Sequence, residues 1–336
     1  MNDAPQADAR PLPVQAQDLI RDAARADLVV MPHRQHLGPA YAALHTQRPA
    51  FDRATAALDW LEQHLPTIQH MINLTHQQGM HHLPWQLCET LGALLLYRPA
   101  YGVWVSTHEL ALESAHLSTS ARALAQMMRA LAAAYQGVAR FTDAAALYEQ
   151  AACLEHDAGY LRGEALALEG LGAALVELGR VNEALEVFKR AHAMFAYLGH
   201  PQGEALITRR IGAALGDAGR YQQATTMLLE AFQSFAQDND LFNQAGVLLE
   251  WAKVSAVQGK SQRAKIQLET AAKYAYLVGA RAMEATASAW LGKIAIALDE
   301  GAEAQRHLSH ACQLLTKMGS PQADEVQMLL EELSPA

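Results

Sequence analysis

The triplet Gly259-Lys260-Ser261 is the one place where this chain suggests phosphate chemistry. A phosphate-cradling loop needs another glycine five residues before Gly259, where Val254 stands, and a strand leading into it. Histidine offers the next candidates: there are fifteen, eight of them between His33 and His82. His33 and His36, His81 and His82, and His307 and His310 could each supply two metal ligands. None of these pairs has a cysteine or carboxylate cluster at a zinc spacing, so surface or capping roles fit them better. No Ser-His-Asp, Cys-His or paired-carboxylate arrangement can be assigned. Glu109 and Glu113, like Glu331 and Glu332, read as solvated helix faces. Trp60, Trp85, Tyr97, Tyr101 and Trp104 form an aromatic concentration, which is either a ligand pocket or a core sealing the neighbouring repeats. The expectation is therefore a protein with no catalytic residues, no cofactor and no metal.

The elements that must position any site are helical. The chain has 336 residues, 51% of them hydrophobic, a formal charge of −9 and a mean hydropathy of −0.05. That balance belongs to a folded protein rather than a disordered one. No apolar run approaches the roughly 18–20 residues that a membrane-spanning helix needs. Met1 to Pro13 has neither the basic start nor the apolar stretch of a secretory signal, so the expected compartment is the cytoplasm. The acidic charge argues against direct nucleic-acid binding. No basic arm hides upstream, because residues 1–117 hold seven arginines, no lysine and eleven acidic residues. Cys88, Cys153 and Cys312 are odd in number and far apart. They read as buried small hydrophobes rather than a disulfide framework.

From about residue 124 the sequence repeats every 40 residues. Arg140, Arg180, Arg220 and Lys260 keep that spacing, followed by Glu300. So do Ala144, Ala184, Ala224, Ala264 and Ala304, and again Ala151, Ala191, Ala231, Ala271 and Ala311. A fixed period of this size marks a solenoid. Gly159, Gly199, Gly279 and Gly319 share a turn column whose fifth member is Asn239, the other residue that tolerates a left-handed helix end. A second turn column holds Gly179, Gly219 and Gly259, with Ala139 and Asp299 in place of glycine. Each unit thus reads as two helices of about 17 residues. Within one unit Ala184, Val187, Phe188, Ala191 and Phe195 make a single apolar face. Gly172 and Gly212 mark positions where two helices must approach closely.

Leu168-x2-Leu171-Gly172-x2-Leu175, followed by Gly179, Ala184, Phe188 and Ala191, resembles the tetratricopeptide pattern W-x2-L-G-x2-Y…A-x3-F-x2-A. The resemblance covers residues 124–318 as five units, each about six residues longer than the usual 34. It implies an all-α fold, a right-handed tetratricopeptide superhelix with a helical N-terminal cap. The expected layout is a disordered segment over 1–13, the cap over 14–80 and a diverged repeat unit over 81–123. Five units over 124–318 and a capping helix over 319–336 follow. Within the cap, one helix is expected over 14–31, and Phe51–Leu65 and Thr67–Gly79 read as a hairpin broken at Pro66. Val326, Leu329 and Leu330 give the last helix an apolar side that suits capping the final repeat or contacting a second subunit.

Leu28-Val29-Val30-Met31-Pro32-His33-Arg34 is similar to the segment that precedes the repeats in actinobacterial AfsR-like regulators of the STAND (NB-ARC) class. Ala57-Leu58-Asp59-Trp60-Leu61-Glu62 and the stretch from Trp104 to Leu112 resemble further parts of that region. This resemblance implies a repeat sensor that recognises a partner; the ATPase and DNA-binding parts of such regulators have no counterpart in the sequence.

In tetratricopeptide arrays the first helix of each unit lines a concave groove. Carrying that layout over places Arg129 and Gln136, then Glu169, then Arg209, Arg210 and Asp217 in the groove. Glu250 and Lys253 follow, and then Trp290 and Lys293. Ala133, Ala173 and Ala213 would form a smooth floor. The expected ligand is a protein or peptide, an acidic or amphipathic segment held by Arg209, Arg210, Lys253 and Lys293. The alternative is that these cations pair with Glu169, Asp217 and Glu250 and only solvate the groove. The functional expectation is a regulatory sensor or adaptor. The alternatives are a scaffold or assembly factor, and an enzyme or small-molecule-binding protein of a biosynthetic pathway built on the superhelix.

Overall fold

The computed structural model describes residues 10–44, 47–118 and 120–333, and every regular element among them is an α-helix. They fall into two compact units. One comprises residues up to Leu94 together with Ser106–Ala123; the other comprises Leu95–Val105 and everything from Leu124 onward. The expectation of disorder over 1–13 lies outside the described residues for 1–9, and the first helix already begins at Leu12.

The first unit contains α1 (Leu12–Val30), α2 (Pro39–Leu44), α3 (Ala54–Gln77), α4 (Pro84–Thr90), the first half of α5 (Gly92–Tyr97) and the later part of α6 (Tyr101–Leu117). The hairpin expected at Pro66 is not there, because α3 runs unbroken through the proline. Pro66 is exposed, so its ring and the missing hydrogen bond face water. Leu58 and Leu61 before it and Ile68 and Ile72 after it are fully buried, and that shared face keeps the two halves in line.

Asp27 organises the other side of this unit. Its side chain is fully buried and accepts four hydrogen bonds: from Arg34 Nη2 (2.6 Å), His36 Nε2 (3.0 Å), the Tyr41 hydroxyl (3.0 Å) and the Ala93 backbone N–H (2.9 Å). Burial pushes its pKa up, but the Arg34 charge and the bonds from His36 and Arg34 outweigh this and hold the carboxyl below the usual aspartate range. Arg34 Nη2 also donates to the Glu89 carbonyl at 2.7 Å. The Glu89 carboxylate accepts from the backbone N–H groups of Leu37 and Gly38 at 2.6 and 2.8 Å. The motif from Leu28 to Arg34 thus acts as a clasp on the α4–α5 junction. Gly92 is required there, since a Cβ would lie 2.8 Å from the Arg34 guanidinium carbon.

The second unit is the repeat array. Ten helices of 17 or 18 residues pair in sequence: α7 (Ala121–Gly137) with α8 (Phe141–Asp157), α9 (Leu161–Glu177) with α10 (Val181–Tyr197), and α11 (Pro201–Asp217) with α12 (Tyr221–Gln237). They continue with α13 (Leu241–Val257) and α14 (Ser261–Val278), then α15 (Arg281–Ala297) and α16 (Gly301–Met318), and α17 (Gln322–Leu333) closes the series. Both alanine columns are fully buried in every repeat. Gly172 admits Phe188 so closely that a Cβ would lie 2.4 Å from the ring. Val326 is buried with Leu308 and Leu315, and Leu329 and Leu330 pack on the same cluster.

Every turn between these helices uses one left-handed residue. Ala139, Asn239 and Asp299 adopt φ of 59°, 54° and 61° where the other turns have glycine. The following residue donates back to the carbonyl five positions earlier, as Arg140 does to Tyr135 at 2.8 Å. This closes the helix end in the Schellman manner and holds even a non-glycine residue in the strained region.

One sequence expectation needs correction in this unit. Cys153 is exposed and Cys312 half-buried; of the three cysteines, only Cys88 is buried. The register explains Cys153, which shares its column with Gln233, Lys273 and Gln313 on the outer face of the second helices. The segment Leu95–Val105, part of the expected diverged repeat unit, packs on the array itself. Tyr97 stacks on Phe242 with ring centroids 4.3 Å apart, Arg98 Nε donates to the Gly279 carbonyl at 3.3 Å, and Tyr101 lies against Gly137.

Candidate peptide-binding groove

The first helices form the inner layer of the array. α9 touches α11, α11 touches α13 and α13 touches α15. No comparable contact among the described residues joins α10 to α12 or α12 to α14, so the second helices splay apart on the outer side. Inner-layer residues recur at the 40-residue period because each first helix starts from the same left-handed turn.

Most of the sequence-predicted groove residues meet on α9, α11 and α13, and most of the charges are already neutralised there. Arg210 Nε donates to Glu169 at 2.5 Å. Lys253 bridges to Glu250 at 3.1 Å. Burial opposes charge on all three groups whose pKa moves, yet the partner's charge prevails. Arg210 and Lys253 are held above their ordinary values and Glu250 below its own. Asp217 lies exposed beside this pair; desolvation and the Glu250 charge raise its pKa. Arg129 reaches Glu155 of α8 at 3.6 Å, and Gln136 accepts from the Tyr148 hydroxyl at 2.9 Å. Lys293 turns to Glu325 of α17 at 2.6 Å and lies 5.2 Å from the centre of the Trp290 ring. The expected set of four ligand-holding cations is thus not a set of free charges.

Arg209 is the exception. Only 9% of it is exposed, its Nε is buried without a hydrogen-bond partner, and its guanidinium forms no ion pair among the described residues. Burial, and then the neighbouring Arg210 charge, lower its pKa to about 10, so it remains protonated at neutral pH. The guanidinium lies over Gly246 of α13, where an added Cβ would come within 2.0 Å of Nη1. Sequence reasoning named Arg209 as one of several equivalent cations. The signal that sets it apart is Gly246, which stands in a column otherwise occupied by Gln126, Leu166, Leu206 and Thr286.

The remaining candidates do not converge on a second site. Trp60 stacks on His64, whereas Tyr97, Tyr101 and Trp104 belong to the segment packed on the array. His36 is bonded to Asp27, and His310 to Glu284 at 2.9 Å. Gly259 and Lys260 form the turn before α14, with Lys260 Nζ donating to Gln258. On the outer face, α10 and α12 leave a cleft of about 610 Å³, lined by Leu185, Lys189, Ile211 and Met227 among others. No helix among the described residues is long and apolar enough to cross a membrane.

No protein-family model matches the chain, and no curated protein matches it in sequence. Solved structures do match. The Rap conjugation gene regulator of the plasmid pLS20, in complex with the Phr* peptide, is 12% identical, with 95% of this chain and 94% of that one covered and a TM-score of 0.57. Aspartyl phosphate phosphatase F from Bacillus subtilis is 12% identical over 99% and 95% of the two chains, with a TM-score of 0.53. A STAND protein with a tetratricopeptide repeat sensor from Pyrococcus horikoshii is 12% identical, with a TM-score of 0.51; the match covers 95% of this chain and 59% of that one. At these identities the likeness establishes the fold alone: the chain is a tetratricopeptide-type helical-repeat solenoid.

Proposed function

We propose that this protein is a peptide-binding regulator, a sensor or adaptor that takes an extended or helical segment of a partner into the first-helix groove of its repeat array. The observation that carries this reading is the inner layer itself. The half-buried Ala133, Ala173 and Ala213 repeat along it, flanked by ion pairs and by one buried cation, Arg209, that has no ion pair among the described residues. A smooth floor with pre-oriented polar groups suits a main chain plus a few specifying side chains. That a Rap regulator of similar fold is seen with a peptide, and that a similar array is a sensor in a STAND protein, support the same reading. The resemblance of Leu28–Arg34 to AfsR-like regulators points the same way, toward partner recognition in the cytoplasm. Residues 124–318 are then the recognition module, and an acidic or amphipathic segment is its preferred ligand.

The test is a groove block. Ala213→Trp places an indole on the floor without touching the buried columns. The wild-type chain is expected to retain members of a synthetic hexapeptide pool that the variant, with unchanged helix content, does not. Equal retention by both proteins would remove the groove from consideration.

A further inference from the structure

The paired charges of the groove leave one buried cation without a partner among the described residues, and that group defines what the ligand must bring. Glu169 is taken by Arg210 and Glu250 by Lys253. Asp240 caps its own helix by accepting from the Asn243 N–H and side-chain amide at 3.0 and 2.7 Å. Arg209 stays cationic and nine-tenths buried, with its Nε unsatisfied and its Nη1 directed at the glycine that makes room for it. A buried guanidinium without an acceptor is destabilising, whereas a carboxylate matches its planar fork with two parallel hydrogen bonds. Resting on the peptide-groove reading above, we infer that Arg209 is the anchor for one carboxylate of a peptide ligand, from either its C-terminus or an acidic side chain. A single negative charge fits, because Glu169, Glu250 and Asp240 all act on Arg209 electrostatically and would oppose a doubly charged phosphate.

Two variants isolate this role. Arg209→Met removes the charge while keeping an apolar stem. Gly246→Ala keeps the charge but puts a methyl group where Nη1 lies, so the guanidinium must move. Because the first removes an unsatisfied buried ion, its Tm is expected to rise by about 2–4 °C. Binding is read by affinity selection on the full chain from four synthetic hexapeptide pools. One is unmodified, one is C-terminally amidated, one lacks Asp and Glu, and one is both amidated and free of Asp and Glu.

The wild-type chain is expected to retain peptides from the unmodified pool and none from the doubly depleted pool. Both variants should weaken retention at least ten-fold. Loss on amidation alone assigns the C-terminus; loss on removing Asp and Glu alone assigns a side chain. Undiminished binding by Arg209→Met, or retention of the doubly depleted pool, overturns the anchor and leaves the groove reading standing. A fall in Tm for Arg209→Met also overturns it, since the residue would then be structural. If the wild-type chain retains nothing from any pool, the peptide reading falls and the anchor with it.

Discussion

Two charged side chains show opposite solutions to burial. Asp27 is fully enclosed and accepts four hydrogen bonds; Arg209 is almost as enclosed and its Nε has no partner among the described residues. The first is structural. Asp27→Asn would remove the carboxylate that Arg34 bonds directly, and urea unfolding of the first unit should show a loss of about 3 kcal/mol. Its pH dependence has a definite sign. The folded-state pKa lies below the unfolded one, so the Asp27 contribution is complete above about pH 4 and is lost as pH falls through the folded value. Melts from pH 7 down to pH 2 should show that acid loss in the wild type and a smaller one in Asp27→Asn. Such pairings were only partly legible in the sequence. Glu250 with Lys253 follows from helical spacing, and Arg210 with Glu169 from the period. Arg34 meets Glu89 and Gly92 across more than 50 residues of chain, which no local pattern reveals. The isolation of Arg209 depends on a glycine in the next repeat, so it too is visible only once the helices are stacked.

Helices and turns were the most readable level, because a 40-residue beat fixes both the buried columns and the left-handed ends. The departures come where a local preference loses to packing. Pro66 breaks no helix, because Leu58, Leu61, Ile68 and Ile72 share one buried face across it. Pro66→Ala should therefore stabilise the first unit by about 2 kcal/mol, less any gain in unfolded-state entropy, as read from chemical denaturation. A decrease would mean that the ring itself packs. Ala139 holds a left-handed conformation that an L-residue adopts at a cost of about 1 kcal/mol, so Ala139→Gly should raise stability by about 0.5–1 kcal/mol. At the opposite extreme, Ala184→Asp puts an unpaired carboxylate at a fully buried column position, and a loss of several kcal/mol is expected.

At the scale of the whole molecule, the five repeats from residue 124 onward follow the period directly, while the earlier third does not continue it. The helix that would begin a sixth repeat is interrupted at Leu91, between α4 and α5, and the following Leu95–Val105 segment packs on the array. Composition could not show this, since Tyr97 finds Phe242 through tertiary packing alone. Tyr97→Ala should cost about 3 kcal/mol in the repeat unit by leaving a cavity beside that ring.

The central claim, that the inner face of the repeats receives a peptide, is tested most directly by mapping where a bound peptide lies. A hexapeptide retained by the wild-type chain, carrying a photoreactive benzophenone, should cross-link to α9, α11 and α13, at residues flanking Ala173, Ala213 and Lys253. Cross-links confined to the outer cleft between α10 and α12, around Leu185 and Met227, or to the first unit, would contradict the account.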